Sequence, residues 1–209
     1  MISEQLADKI ADALASDGYI ILDHVLPDNL VAELTSLARS LTGSGYKSAG
    51  VGREQATQYS PAIRNDEISW LEPSHPVSKQ YLDWMEQLRL ALNQRLFLGM
   101  FDYESHYAHY APGAYYKKHL DAFHGNTNRI LTTVYYLNYD WLADNGGELI
   151  IYSPESENII EKVAPSYGRL VIFLSEKFPH EVLPAKKDRY SIAGWFRINN
   201  SSSTRIDPT

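Results

Sequence analysis

The sequence predicts a mainly β protein with flanking helices, of the α+β class, and two observations support this prediction. Residues 1–100 contain apolar residues at helical spacing between capping residues. From residue 101 onward, short segments rich in β-branched and aromatic residues follow one another, separated by turn residues. This order favours a sandwich or barrel with the helices packed outside it.

Three helices and one early strand are expected in the first half of the chain. Each helix is bounded by residues that commonly start or end helices. These boundaries are Ser3 and Gly18 for the first helix, Pro27-Asp28 and Gly43 for the second, and Ser74-His75-Pro76 at the start of the third. Between the first two helices, the apolar run YIILDHVL at 19–26 is predicted to form a strand.

Eight strand-like segments fill the second half. They are YESHYAHY, AYYKKHLD, RILTTVYYLN, GGELIIY, NIIEKV, GRLVIFL, HEVLP and RYSIAGWFRI. Because 209 residues with 44% hydrophobic content can bury a substantial core, we expect one domain spanning 1–209. The polar tail at 199–209 is expected to be frayed.

Composition excludes several classes of function. The formal net charge of -7 argues against a broad nucleic-acid-binding surface, so no nucleic-acid partner is expected. The absence of cysteine removes disulfides, zinc-thiolate sites, iron-sulfur clusters and cysteine nucleophiles. Neither a signal peptide nor a membrane-length apolar run is present, which predicts a cytoplasmic protein without a membrane partner. Any metal must therefore bind to histidine and carboxylate.

The stretch AYYKKHLDAFHG contains the first candidate metal ligands. Strand side chains alternate between faces, so His119 and Asp121 point the same way and can reach one ion. By the same parity, His106 and His109 should face opposite sides, as should His119 and His124, which makes these pairs poorer metal sites. A structural histidine is the expected role for the poorer candidates.

His180 is the natural third ligand because it begins a β segment in the same half of the chain. Two imidazoles and one carboxylate form the facial triad that leaves positions open on non-haem Fe(II). Arg189 opens a later strand, with Ser191 on the same face. A fixed guanidinium near a metal suits a dicarboxylate, whose far end needs a bidentate partner.

The ordered set of His-x-Asp, a distant His and Arg-x-Ser resembles the Fe(II)- and 2-oxoglutarate-dependent oxygenases. Their fold is a double-stranded β-helix, or jelly roll, here expected at 101–198 and packed by the N-terminal helices. Several stretches are further similar to the prolyl 4-hydroxylases of the hypoxia-sensing type and their bacterial relatives. These stretches are IRNDEISWLE, YYLNYDW, NGGELIIY, PHEVLPA and RYSIAGWF.

This resemblance implies roles for particular residues. His119, Asp121 and His180 would be the catalytic metal ligands, and Arg189 would pair with the distal carboxylate of 2-oxoglutarate. The other residues expected at the cosubstrate are Tyr110, Tyr136, Leu149, Ser191 and Trp195. The residues expected to bind substrate are Arg64, Asp66, Trp70 and Arg129, with 1–100 supplying helical support and a substrate loop. In this loop Asp66 would pair with Arg129, and Trp70 would pack the loop base.

The implied reaction is hydroxylation of a prolyl residue at C4 in a protein substrate, by a dioxygenase of the procollagen-proline or peptidyl-prolyl type. It requires Fe(II), 2-oxoglutarate and O2, releases succinate and CO2, and can be stimulated by ascorbate. Elongation factor Tu is the candidate target, oxygen sensing the candidate role, and a monomer the expected state. Two alternatives remain open: a hydroxylase of a free amino acid or small metabolite, and a non-catalytic jelly-roll module that binds metal or senses a ligand.

Overall fold

The computed structural model describes residues 2–50, 62–121 and 128–199. It contains three α-helices: α1 Glu4–Ser16, α2 Asp28–Ser40 and α3 Pro76–Leu96. All three predicted helices are therefore confirmed. The Ser3 hydroxyl caps α1 by accepting a hydrogen bond from the Leu6 backbone N–H at 3.2 Å. None of the helices among the described residues is long and apolar enough to cross a membrane.

Eleven strands are present in the described residues, and each of the eight predicted segments overlaps one of the last eight; β4 begins three residues before its segment. Their bounds are β1 Tyr19–Asp23, β2 Lys47–Ser48, β3 Glu67–Trp70, β4 Met100–Tyr110, β5 Tyr116–His119, β6 Arg129–Tyr136, β7 Leu149–Tyr152, β8 Ile159–Val163, β9 Arg169–Leu174, β10 His180–Val182 and β11 Arg189–Ile198. A short 3₁₀ helix spans Ala143–Asn145.

The strands form two antiparallel sheets. The major sheet has the order β1-β9-β6-β11-β4-β3-β2, and the minor sheet has the order β5-β10-β7-β8. One apolar cluster packs the three helices against one face of the major sheet, and a second cluster fills the space between the sheets. The predicted sandwich with outer helices is confirmed.

The first hundred residues contribute more than helices and a loop. Strands β1, β2 and β3 all join the major sheet, so its boundary does not fall at residue 101. The predicted strand at 19–26 ends at Asp23 because His24 takes a left-handed backbone conformation, with φ of 56°, which turns the chain.

The predicted substrate loop is partly a strand. Its second half, Glu67–Trp70, forms β3 and pairs with β4 from His109 to His106. The ladder hydrogen bonds fix this half of IRNDEISW to the sheet. The neighbouring 51–61, the 122–127 segment with His124, and the tail at 200–209 lie outside the described residues.

Candidate active site

Three side chains, two from the minor sheet and one just after it, converge at one point. His119 ends β5 and lies directly opposite His180, the first residue of β10, while Asp121 follows β5 by two residues. The Nε2 atoms of His119 and His180 lie 3.4 and 3.6 Å from the two carboxylate oxygens of Asp121. One ligand atom from each residue lies within 4.8 Å of the others, a spacing that could hold a metal ion.

Backbone carbonyls fix the orientation of both imidazoles. His119 Nδ1 lies 2.7 Å from the Lys117 carbonyl oxygen, and His180 Nδ1 lies 3.0 Å from that of Phe178. A carbonyl oxygen only accepts, so each Nδ1 carries a hydrogen, and in the neutral ring Nε2 keeps its lone pair. Both lone pairs are thus available to a shared ion.

The Asp121 carboxylate is held from the opposite sheet. Its Oδ2 accepts hydrogen bonds from the Thr132 hydroxyl at 2.8 Å and from the Trp195 indole N–H at 2.9 Å. Ser175 lies 2.9 Å from the Thr132 hydroxyl and completes the chain. Two oriented imidazoles and a carboxylate constitute a donor set that fits Fe(II).

Burial and neighbouring charges set the protonation states that a metal requires. Burial lowers the pKa of His180 to about 4, so its ring is neutral near pH 7. Burial raises the pKa of Asp121, but the His180 and His119 rings and Arg129 outweigh burial and hold it well below the usual range. The neutral imidazole and ionised carboxylate are the forms that bind divalent metals.

Arg189 lies in the same cavity, buried and without a carboxylate partner among the described residues. Its Nε donates to the Gly147 carbonyl at 2.9 Å, and its Nη1 lies 3.4 Å from the Ser191 hydroxyl oxygen. The guanidinium carbon lies 4.8 and 5.1 Å from the ring centres of Tyr110 and Tyr136. A buried cation in this position favours an anionic ligand.

Four of the other predicted cosubstrate residues, Tyr110, Leu149, Ser191 and Trp195, line the same cavity, and the Tyr136 ring lies beside Arg189. The Tyr136 hydroxyl is buried without a hydrogen-bond partner in the described structure, and burial raises the pKa of Tyr110 and Tyr136. Leu149 is buried on β7 and forms an apolar part of the wall. Trp195 was expected to close the cosubstrate pocket, and the structure shows in addition that its indole binds Asp121.

Arg64 and Asp66 pair with each other. The Arg64 Nε and Nη2 donate to the two oxygens of Asp66 at 2.7 and 2.5 Å, and the Asp66 carboxylate is buried. The predicted pairing of Asp66 with Arg129 is therefore not formed. Arg64 also covers the Tyr116 ring at 4.3 Å, and this ring stacks on His119 with centroids 3.6 Å apart. The pair thus supports the metal-ligand side of the cavity.

Arg129 is held by Glu104, whose Oε1 accepts from its Nε at 3.0 Å and Nη2 at 2.8 Å. Its guanidinium lies 3.6 Å from the ring centre of Trp195. Trp70 was expected to pack the base of a loop, but it is 53% exposed and meets His106 edge-on at 5.2 Å. It therefore lines the mouth of the cavity.

Sequence reasoning missed the roles of three residues of the site, although alternation could have placed all of them in the cavity. Thr132 shares a strand face with Tyr136, and Glu104 and His106 share one with Tyr110. The pairing of Glu104 with Arg129 carried no sequence signal, because it depends on how the strands pack. As predicted, His106 and His109 face opposite sides of β4, and only His106 lines the cavity.

Comparisons with known proteins agree with this geometry. Residues 105–197 match the 2OG-Fe(II) oxygenase superfamily. The solved structure of a Pseudomonas putida prolyl-4-hydroxylase is 41% identical, covers 92% of this chain and 99% of that one, and has a TM-score of 0.84. A Trichoplax adhaerens prolyl hydroxylase, solved with a hypoxia inducible factor oxygen degradation domain peptide fragment, is 27% identical, with 93% and 90% covered and a TM-score of 0.82.

Among curated proteins, human Egl nine homolog 1 is 28% identical over 196 residues. The match covers 90% of this chain and 45% of that protein. The chain therefore spans less than half the length of this relative.

Proposed function

Because the chain belongs to the 2OG-Fe(II) oxygenase superfamily, we propose that it hydroxylates a prolyl residue of a protein substrate at C4. The observation that carries the proposal is that one cavity contains the His119–Asp121–His180 cluster and the buried, carboxylate-free Arg189. The similarity to prolyl hydroxylases supports proline as the target.

Different residues of the chain would bind the metal and the cosubstrate. His119, Asp121 and His180 would hold Fe(II). Arg189 would bind the distal carboxylate of 2-oxoglutarate through bidentate hydrogen bonds from its guanidinium. When bound, the metal and cosubstrate supply the oxidation by O2 that inserts oxygen into the target C–H bond and yields succinate and CO2.

The remaining residues orient these groups and exclude water. The Tyr136 and Ser191 hydroxyls would hydrogen-bond the cosubstrate beside Arg189. Leu149 and the Trp195 ring would cover its apolar part, which would strengthen the charged contact in a dry environment. Thr132 keeps the Asp121 carboxylate in one orientation.

A protein is a better substrate for this cavity than a free amino acid. The cavity has a volume of about 1330 Å³ and extends from Arg189 to the exposed Trp70. Small-molecule pockets usually enclose about 300–1000 Å³ and bury most of their ligand. The additional open volume fits a peptide segment that continues out of the site. Elongation factor Tu is our candidate target, and we propose that 1–209 acts as a monomeric catalytic domain.

The test is incubation of a host-cell lysate with the protein, Fe(II), 2-oxoglutarate and O2, followed by mass spectrometry. We expect one oxygen to be gained on a proline, coupled to succinate release, and neither with Asp121→Ala. An oxidised proline in elongation factor Tu would identify the candidate target, and one in another protein would reject that target alone. Succinate release coupled to a free amino acid, without any protein modification, would overturn the proposal.

A further inference from the structure

His106 is a buried polar residue in the cavity wall that has no hydrogen-bond partner among the described residues. Its side chain is 4% exposed, and its Nδ1 is fully buried. It lies on the β4 face that also carries Tyr110, so it shares the cavity with the metal ligands and Arg189. Burying a polar group without a hydrogen-bond partner is unfavourable, so its presence here calls for a physical reason.

Two tryptophan rings pack against the His106 imidazole. The Trp70 ring meets it edge-on at 5.2 Å, and the Trp195 ring lies tilted at 5.4 Å. Trp195 is bonded to Asp121, and Trp70 lies at the exposed mouth of the cavity. His106 therefore stands between the metal ligands and the opening, where an entering peptide must pass.

His109, on the same strand, has partners close to both of its ring nitrogens. It lies on the opposite face, where its Nδ1 lies 3.2 Å from Glu67 Oε2 and its Nε2 lies 2.7 Å from Asp188 Oδ1. The unpartnered ring of His106 is thus specific to the cavity face.

We propose that His106 positions the substrate by donating a hydrogen bond from its imidazole to a peptide carbonyl oxygen beside the target proline. This inference rests on the proposed function. The nitrogen of a prolyl residue carries no hydrogen, so the polar atoms nearest the target ring are carbonyl oxygens, which require a donor. The two tryptophans beside His106 offer apolar surface to the proline ring itself.

The charge state of His106 agrees with this role. Burial, followed by the charges of Arg64 and Arg129, lowers its pKa to about 3. The ring is therefore neutral near pH 7 and has one N–H donor and one acceptor. A neutral ring also adds no repulsion against a bound metal.

The test compares His106→Leu and His106→Gln with wild type, using elongation factor Tu as substrate. Loss of one neutral hydrogen bond should raise KM about three- to tenfold in His106→Leu, with kcat little changed. His106→Gln, whose side-chain amide places a donor near the less buried Nε2, should recover part of the loss. Binding of elongation factor Tu to the Mn(II)-loaded protein should weaken by the same factor, and 2-oxoglutarate affinity should stay within twofold.

Measuring the thermal stability of the variants gives a second test that does not depend on the substrate. Since His106 has no partner to lose, Tm in His106→Leu should stay equal to or above that of wild type. The matched substitution His109→Leu removes two hydrogen bonds and should lower Tm. A comparable drop in His106→Leu would show that His106 has a structural role and overturn the inference.

The kinetic outcomes separate this inference from the proposed function. Unchanged substrate KM and affinity in His106→Leu, or a change confined to 2-oxoglutarate, would overturn the role of His106 while leaving prolyl hydroxylation intact. If wild type leaves elongation factor Tu unmodified, the lysate protein that gains oxygen on proline replaces it as probe. Absence of any modified proline would reject both proposals.

Discussion

At the scale of single residues, one hydroxyl helps to decide how the metal site is oriented. Thr132 donates to Asp121 Oδ2 at 2.8 Å, and we predict that Thr132→Val lowers Mn(II) affinity about tenfold because the carboxylate loses one of its two donors. Titration calorimetry would measure the Mn(II) affinity. Thr133→Val is the control, since the Thr133 hydroxyl bonds Tyr103 and the Gly194 carbonyl on the other strand face. Equal affinities in both variants would contradict the prediction.

Arg189 offers a second test at this scale. Arg189→Lys keeps the charge but loses the planar fork, so we predict that the apparent requirement for 2-oxoglutarate rises about tenfold or more. Mn(II) affinity should change little, because no metal ligand contacts the substituted group. Steady-state kinetics over a range of 2-oxoglutarate concentrations would measure the change. An unaltered requirement would place the anchor elsewhere.

The pH dependence of stability reports on His106. Its folded pKa of about 3 lies below the unfolded value near 6.5, so the unfolded chain binds the additional proton between these pH values. The contribution of His106 to the unfolding free energy is present above pH 6.5 and is lost as pH falls towards 3. Between pH 7 and pH 5, wild type should lose about 2 kcal/mol more unfolding free energy than His106→Leu. Urea denaturation at both pH values would test this, and parallel losses would refute it.

At the scale of elements, strand alternation explains most of the site. Along β11, Arg189, Ser191 and Trp195 face the cavity, while Tyr190, Ile192 and Phe196 pack under the helices. Residues that face the ligand cavity therefore alternate on one strand with residues that pack in the hydrophobic core. A substitution on the outer face should change stability before it changes ligand affinity.

Gly194 lies on the outer face of β11, where neighbouring side chains leave no room for a Cβ. A Cβ added there would lie 2.2 Å from the Tyr103 hydroxyl oxygen and 2.9 Å from the Ser105 Cβ. We predict that Gly194→Ala destabilises the protein by about 1–3 kcal/mol through overpacking, measured by urea denaturation. Combining it with Tyr103→Leu should cost less than the sum of the two single changes. Strict additivity would mean that Tyr103 is not the obstacle.

At the scale of the whole molecule, the candidate metal site joins the two sheets. His119 and His180 belong to the minor sheet, whereas Asp121 is bonded to Thr132 on β6 and Trp195 on β11 of the major sheet. An ion bound by the three ligands would therefore connect both layers. Metal binding should stabilise the fold as a unit rather than a local loop.

The corresponding prediction concerns thermal unfolding. Mn(II) at about 100 times its dissociation constant should add about 2.7 kcal/mol to the unfolding free energy and raise Tm. Asp121→Ala should abolish this shift while the metal-free variant remains folded. A calorimetric scan with and without a chelator would measure both. The same metal-induced shift in wild type and Asp121→Ala would end the assignment of Asp121 as a ligand.

The sequence by itself determined the elements and much of the site. Helical spacing with Ser3 and Pro76 at helix starts predicted the helices, and turn residues separated the eight later strands, because both signals are local. The two-residue period of a strand placed His119 and Asp121 together and separated His106 from His109. Resemblance to a known family then supplied the jelly roll, which the similarity to solved prolyl hydroxylases confirmed.

Only the tertiary structure decided which charged groups meet. Asp66 pairs with Arg64 and not with Arg129, Arg129 is held by Glu104, and half of the expected substrate loop is strand β3. The Arg129–Glu104 pair depends on how close β6 and β4 come in the folded sheet. The Arg64–Asp66 pair is local in the chain, but the sequence does not show which of the two arginines Asp66 meets. The unpartnered ring of His106 likewise became visible only once its surroundings were known, because hydrogen-bond satisfaction is a property of the packed molecule.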